Sequence, residues 1–493
     1  MISGSDTATF LGLDVGTSGV KAILIDLDGN AIADASAPLS VSRLRDGWSE
    51  QNPSDWWQAT LVSVDALSKS SPEALARVRG LGLSGQMHGA TLLDKSRNVL
   101  RPAILWNDGR ANMECLEIEK ACPESRAISG NIAMAGFTAP KVLWVKNHEP
   151  EIYEKIDKVL LPKDYIRWRL TGEFVSDMSD ASGTLWLDVK KRDWSDELLA
   201  VTGLSRTHMP SLVEGSASSG ILKSELLSRW NMSGPVVVAG GGGDNAASAC
   251  GIGAIRPGEG FVSLGTSGVL FVSNDRFRPN TQGAVHAFCH AVPQTWHQMG
   301  VILSATDSLN WLAGLTGRDA AQLAGEAETA YCGPGEEIFL PYLSGERTPH
   351  NNPAARGTFT GLSHNSDPVR MAQAVMEGVA MAFGDALSML KEAGTEINSL
   401  VAVGGGSNSA LWLKLIAASL DMEIQVPRDG DFGGAFGAAR LGLCAAQNAS
   451  PVEVCTMPHI VKTIAPDPQL RELYGKQYAR YRALYPAIEE AKT

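Results

Sequence analysis

The 493-residue chain has little to staple itself with: seven cysteines, none in a CxxC pair. An odd count in a chain this long excludes a disulfide framework and predicts free thiols in a reducing, cytoplasmic setting. Positive charge is also short, with 42 lysines and arginines against 54 aspartates and glutamates, a net charge of −12. That balance argues against a nucleic-acid surface. It leaves ATP open, because backbone amides and a divalent cation neutralise phosphates without a basic patch. Long apolar runs are missing too. The stretch Ala284–Thr306 has no Asp, Glu, Lys or Arg, yet it carries Pro293, three histidines and glutamines, so no membrane span is expected. Met1–Thr9 has neither a basic start nor an apolar core, so no secretory signal is expected. The familiar nucleotide signatures are absent as well. There is no GxxxxGK[ST] loop and no HRD or DFG set. Gly80–Gly85 matches GxGxxG, but inside an apolar run leading to Gln86-Met87-His88 rather than to a helix, which argues against a dinucleotide site.

What is present is a repeat. Gly-Thr-Ser-Gly-Val occurs at Gly16–Val20 and again at Gly265–Val269, each time between two short apolar runs. A glycine-rich turn between strands can aim backbone amides at an anion. Two such turns, half a chain apart, predict duplicated lobes with one phosphate turn each, facing across a cleft. The length demands at least two domains, and 44% apolar residues supply two α/β cores. The turn-rich joint Arg256–Gly260 sets the expected division at residues 1–255 and 256–493.

The first segment reads as a β-meander: Phe10–Asp14, Val20–Asp26 and Ala31–Ala37, with Asp28-Gly29 as a hairpin turn. A helix is expected from Pro53, and buried strands at Val78–Leu83, Pro235–Ala239 and Leu400–Val403. Two of these end in glycine clusters, Gly240–Gly243 and Gly404–Gly406. Tyr474, Tyr478, Tyr481 and Tyr485 share one helix face, expected to dock on the body.

Two carboxylates stand at strand ends. Asp14 precedes the first turn and suits either a self-capping turn or a Mg²⁺ site, since Mg²⁺ takes few carboxylates and keeps several waters. Asp244 follows four glycines and suits either a helix N-cap or the general base for phosphoryl transfer to an alcohol. His88 reads as a structural hydrogen-bond partner or a sugar contact. Trp106–Arg110 combines an aromatic face with donors and acceptors, which suits a polyol or a polar surface turn. Gly404–Asn408 is either a plain strand-to-helix turn or a bed for adenosine.

The segments Leu13–Gly19, Gly136–Asn147, Gly241–Asn245 and Gly404–Ser407 together resemble the FGGY carbohydrate kinases. The segments Gln86–Leu93, Arg101–Arg110, Leu160–Tyr165 and Phe339–Asn352 resemble the branch of that family acting on D-xylulose. The likeness runs from about residue 9 to the C-terminal helix. It implies an α/β, two-lobed actin-like ATPase (ribonuclease H-like) fold that closes on ATP and sugar. It implies ATP-dependent phosphorylation of D-xylulose, another pentulose or polyol such as ribulose being the alternative, and a non-kinase ATPase module a more distant one. By position, Asp244 matches the base and Asp14 the Mg²⁺-linked carboxylate. Met87, His88, Asp244 and Asn245 match sugar contacts, with Trp106 and Arg110 added. Thr17, Ser18, Gly265 and Thr266 match the phosphate turns, and Gly405, Gly406 and Asn408 the nucleotide pocket. A homodimer is a further implication.

Overall fold

The computed structural model describes residues 8–428 and 433–492. The first sheet contains β1 (Thr9–Val15), β2 (Gly19–Ile25), β3 (Ala31–Pro38), β4 (Val78–Gly85), β5 (Ser218–Ile221) and β6 (Val237–Ala239). The second contains β7 (Glu259–Leu264), β8 (Gly268–Asn274), β9 (His286–Cys289), β10 (Trp296–Ile302), β11 (Ser399–Val403), β12 (Ile424–Pro427) and β13 (Ile460–Ile464). The first runs in the order β3-β2-β1-β4-β6-β5, and Gly242–Gly243 adds a short pairing beside the end of β4. The second runs β10-β8-β7-β11-β12-β13, with β9 added at the β10 edge.

The two orders correspond strand for strand, and so do the directions. β1–β2–β3 and β7–β8–β10 are antiparallel meanders. β4 and β6 run parallel to β1, as β11 and β12 do to β7. β5 and β13 close each far edge antiparallel. Both Gly-Thr-Ser-Gly-Val copies join the first two strands of their sheets. The expected duplicated α/β fold is therefore the observed one.

Helix α1 (Pro53–Ser70) starts where Asn52 accepts a hydrogen bond from Ser54 N and Pro53 takes the first turn, and it buries Trp56. Helix α2 (Asp244–Ile252) follows the four-glycine run. The long α3 (Pro368–Glu392) and α4 (Ala410–Leu420) cover the second sheet. Helix α5 (Gly434–Gln447) comes from the second half of the sequence but lies on the first sheet. It packs so closely that a Cβ on Gly12 would stand 1.9 Å from Ala435 O, and one on Gly82 1.8 Å from Ala438 O. Gly80 and Gly82 of the GxGxxG match thus make room for a helix, and Gly85 packs against Val15 and Lys163. The close approach also means that α5 belongs to the packing of the first sheet, although the sequence places it after residue 256.

Helix α6 (Pro468–Lys492) docks by the expected face. Tyr474 donates to Glu377 at 2.7 Å, Tyr478 donates to Asp385, and the Tyr481 and Tyr342 hydroxyls are 3.0 Å apart. Among the described residues no helix is long and apolar enough to cross a membrane.

Candidate active site

The two repeated turns are held in different ways. Gly16 N donates to Gly19 O, closing the first turn at 3.0 Å. Gly265 O accepts from Thr306 N and its hydroxyl, and Thr266 O from Ala305 N, so the start of a helix braces the second turn. Among the described residues no hydrogen bond engages the amides of Thr17, Ser18, Thr266 or Ser267. Each turn therefore offers consecutive free N–H groups, the arrangement that binds an anion.

Asp14 ends β1 and Asp244 opens α2, and the two carboxylates lie close enough to oppose each other's charge. Burial first, and then Asp14, push Asp244 up to about 6, against a hydrogen bond from Asn245 N at 2.7 Å. The helix cap is Gly243, so Asp244 sits in the first turn without capping it; its carboxylate faces the cavity and, among the described residues, accepts from Asn245 alone. Burial also raises Asp14, partly offset by Ser84 and Lys21. Its Oδ1 is buried near Ser84 Oγ, and neither atom makes a hydrogen bond of good geometry among the described residues, so Ser84 acts on Asp14 only as a nearby dipole. A Cβ on Gly434 would fall 2.4 Å from Ser84 Oγ and 3.0 Å from Asp14 Oδ1, so α5 points its N-terminus at this carboxylate. An orphaned hard oxygen beside a second carboxylate fits a Mg²⁺ ion that draws its other ligands from phosphate and water.

The strand end carrying Asp244 is held from below by a buried ionic cluster. Lys163 Nζ meets Asp164 at 2.6 Å, Asp177 at 2.8 Å and Asp180 at 3.2 Å. Arg167 donates to the carbonyls of Ala239 and Gly240. Ser179 Oγ donates to Asp177 and accepts from Gly243 N at 3.0 Å, next to Asp244.

A cavity of about 280 Å³ opens beside Asp244. Met87, His88, Trp106, Asp244 and Asn245 line it from the first half of the chain; Ser263, Gly265, Ser267, Val269, His286, Phe288 and Arg347 are among those from the second. His88 is held at φ 71° by bonds from Thr138 and Lys141 to its carbonyl, 3.1 Å each. Its Nδ1 lies 2.7 Å from Gly183 O, and a carbonyl only accepts, so Nδ1 carries the proton. Burial drives the ring down to about 3, so it is neutral and its Nε2 is an acceptor.

One expected sugar contact lies elsewhere. Arg110 does not reach the cavity: its side chain is buried against Asp108 and Glu50, both at 2.7 Å, and stacks 3.5 Å over Trp48. It is a structural ion pair, because the turn from Trp106 folds its guanidinium inward. The Thr17 hydroxyl is spent within the protein, donating to Gln86 at 2.9 Å and accepting from Trp106 Nε1 at 3.0 Å, which agrees with a turn expected to act through its backbone amides. Only the backbone of Thr17 is left for a phosphate. Sequence reading missed His286, Phe288 and Arg347. The usable signal for Arg347 was the adjacent opposite charges of Glu346-Arg347 between Gly345 and Pro349.

A second cavity, of about 520 Å³, is lined by Gly265, Thr266, Gly405, Gly406 and Asn408, with Ala321, Ala324 and Trp412 among the apolar walls. Gly404, at φ 88°, turns the chain into this bed. A flat, partly apolar slot with backbone edges suits a purine nucleotide. Gly265 lines both cavities.

The sequence matches the models of the FGGY family of carbohydrate kinases in two parts, the N-terminal domain over residues 9–251 and the C-terminal domain over residues 260–446. A xylulose kinase of Escherichia coli (strain K12) is 48% identical over 481 residues, 97% of this chain and 99% of the relative. One of Bacillus subtilis (strain 168) is 34% identical over 488 residues, 98% of each chain. The crystal structure of a xyloylose kinase from Brucella ovis matches with a TM-score of 0.96 at 54% identity, covering 98% of this chain and 100% of that one. Plasmodium falciparum glycerol kinase with ADP shares the fold at TM-score 0.87 and 19% identity, over 98% of each chain. With both family domains matched across the sheets, turns and carboxylates described above, the chain belongs to the FGGY family of carbohydrate kinases.

Proposed function

We propose that this protein transfers the γ-phosphoryl group of ATP to the terminal hydroxyl of D-xylulose, giving D-xylulose 5-phosphate and ADP. The observation that carries this reading is that the polar cavity at Asp244 and the nucleotide-sized cavity share Gly265, the first residue of the second free-amide turn. The xylulose kinases among the relatives supply the sugar.

In this reading residues 1–255 hold the sugar and residues 256–493 the nucleotide, with α5 lending its N-terminus to the phosphates. ATP lies on Gly405, Gly406 and Asn408. The γ-phosphate sits between the Gly16–Gly19 and Gly265–Gly268 turns, whose amides bind its oxygens. The sugar lies against Met87, His88 and Trp106, and a hydroxyl donates to the free Nε2 of His88. Asp244 takes the proton of the terminal hydroxyl as that oxygen bonds to phosphorus and the bond to the β-phosphate oxygen breaks. Asp14 would hold Mg²⁺, which neutralises phosphate charge when bound.

The test is ADP release from Mg·ATP with D-xylulose, D-ribulose, L-ribulose, glycerol and gluconate in turn. Release with D-xylulose, lost by ~10²–10⁴-fold in Asp244→Ala, is the expected result. Release with another sugar overturns the substrate; release independent of sugar overturns the kinase reading.

A further inference from the structure

Arg347 is the one cationic side chain in the wall of the sugar cavity, among the described residues. Its loop is fixed to β10 before any ligand arrives. Glu346 Oε1 accepts from Leu303 N at 3.1 Å and from Arg347 N at 2.7 Å. Thr348 Oγ1 accepts from Val301 N at 3.0 Å and donates to Ala284 O at 3.2 Å.

The guanidinium is aimed by a chain of hydrogen bonds whose donors and acceptors can all be assigned. Asn131 Nδ2 donates to the carbonyls of Ser129 and Ala287, which fixes the amide and leaves Oδ1 as the acceptor. His286 Nδ1, 3.1 Å away, must then carry the ring proton. Its Nε2 has a lone pair and accepts from Arg347 Nη1 at 3.3 Å. Asn131 comes from the first half of the chain, His286 and Arg347 from the second. No other protein group bonds the guanidinium among the described residues, so its remaining N–H groups face the cavity.

The polar lining is otherwise rich in acceptors. Asp244 is a carboxylate, and His88 presents an acceptor nitrogen. The Trp106 N–H is already used on Thr17. Arg347 is thus the one uncommitted side chain of the wall that donates and never accepts.

The proposed substrate has a matching need. A 2-pentulose closes its ring by attack of the C5 hydroxyl on the C2 carbonyl. A molecule whose C5 hydroxyl is free for phosphorylation is therefore open-chain, with a bare ketone. A ketone oxygen accepts and cannot donate, so it gains nothing from Asp244 or His88. We propose, resting on the reading of the function above, that Arg347 binds the C2 carbonyl of the open-chain ketose and makes the site select a ketone over the corresponding alditol. Asn131 and His286 are positioning residues for that contact.

The experiment compares wild type, Arg347→Gln, Arg347→Lys and Asn131→Ala. It measures KM for D-xylulose, KM for ATP, and the inhibition constant of xylitol, which replaces the ketone by a hydroxyl. Arg347→Gln is expected to raise KM for D-xylulose about ten-fold or more, because a buried carbonyl loses its donor. KM for ATP and the xylitol constant should stay within about two-fold. Arg347→Lys, with charge but no fork, should fall between. Asn131→Ala should raise KM for D-xylulose by a smaller factor, in the same sugar-selective way. A variant that merely misfolds would lower the melting temperature and weaken ketose, alditol and ATP together, and that pattern in both Arg347 variants would overturn the proposal. So would unchanged KM for D-xylulose in an active Arg347→Gln enzyme, and that result would leave the kinase reading intact. A wild-type enzyme with no D-xylulose activity would overturn both.

Discussion

Asp14 raises the pKa of Asp244, and does so across the gap between the end of β1 and the start of α2. Together with burial it brings the base to about 6, near the pH at which an alcohol kinase must work. The acid limb of kcat/KM for the sugar, measured at saturating Mg·ATP, should therefore fall near pH 6. A limb near pH 4 would mean that the base titrates as an ordinary aspartate and that the carboxylate pair is not felt.

The same shift has a cost in stability. Asp244 has a folded pKa of about 6 against 3.8 for an ordinary aspartate, so the folded state binds the proton more tightly than the unfolded one. Stability then falls as pH rises from about 4 to 6, and the penalty is present in full above 6. Asp244→Asn keeps an oxygen for Asn245 N and removes the charge. It should melt higher than wild type at pH 8, with the difference vanishing below pH 4, while turnover drops ~10²–10⁴-fold. Equal melting temperatures at pH 8 would contradict the burial of this charge.

Gly437 lies where α5 crosses α2, and a Cβ there would stand 1.7 Å from Ala247 O. The helix that carries Asp244 would have to move. Gly437→Ala should destabilise by about 1–3 kcal/mol, as overpacking does, and lower kcat more than a control at open Gly475 on α6, where a Cβ meets nothing within 4 Å. Denaturant unfolding and steady-state kinetics on both variants check this.

What the sequence revealed of all this follows the range of each interaction. The two glycine turns between strands, the meander and the docking face of α6 were legible because they are written in neighbours or in a helical period. Asp14 and Asp244 were each legible as a strand-end carboxylate, but their proximity and its effect on the pKa were not, since those depend on distance and burial. Three features were hidden. Helix α5 lies on β1 and β4, whose Gly12, Gly80 and Gly82 stand more than 350 residues before it, and nothing local marks these glycines as its seat. Arg110 turns inward because Glu50 and Asp108 claim it, partners that spacing alone does not reveal. Arg347 reaches the cavity through a loop fixed by Glu346 and Thr348, so its place is set by β10 and not by its own sequence.

Lys163 provides the most severe test of the scaffold. Its ammonium is fully buried among Asp164, Asp177 and Asp180, whose charge holds its pKa above the usual lysine value despite the burial. Replacing two well-packed partners together can be neutral, but removing one leaves the others unpaired. Lys163→Met strips the only ammonium from three carboxylates and should cost about 3–5 kcal/mol. The carboxylates would respond by holding protons, so their folded pKa values would rise. The loss should therefore be largest at pH 8 and shrink as pH falls and the aspartates become neutral. Because Asp177 also orients Ser179 against Gly243 N, the surviving folded fraction should show lower kcat with little change in KM for ATP. Chemical denaturation at pH 8 and pH 5.5 measures the first effect, and turnover below the unfolding transition the second. A variant as stable as wild type at both values would show that the cluster does not hold the strand end that presents Asp244.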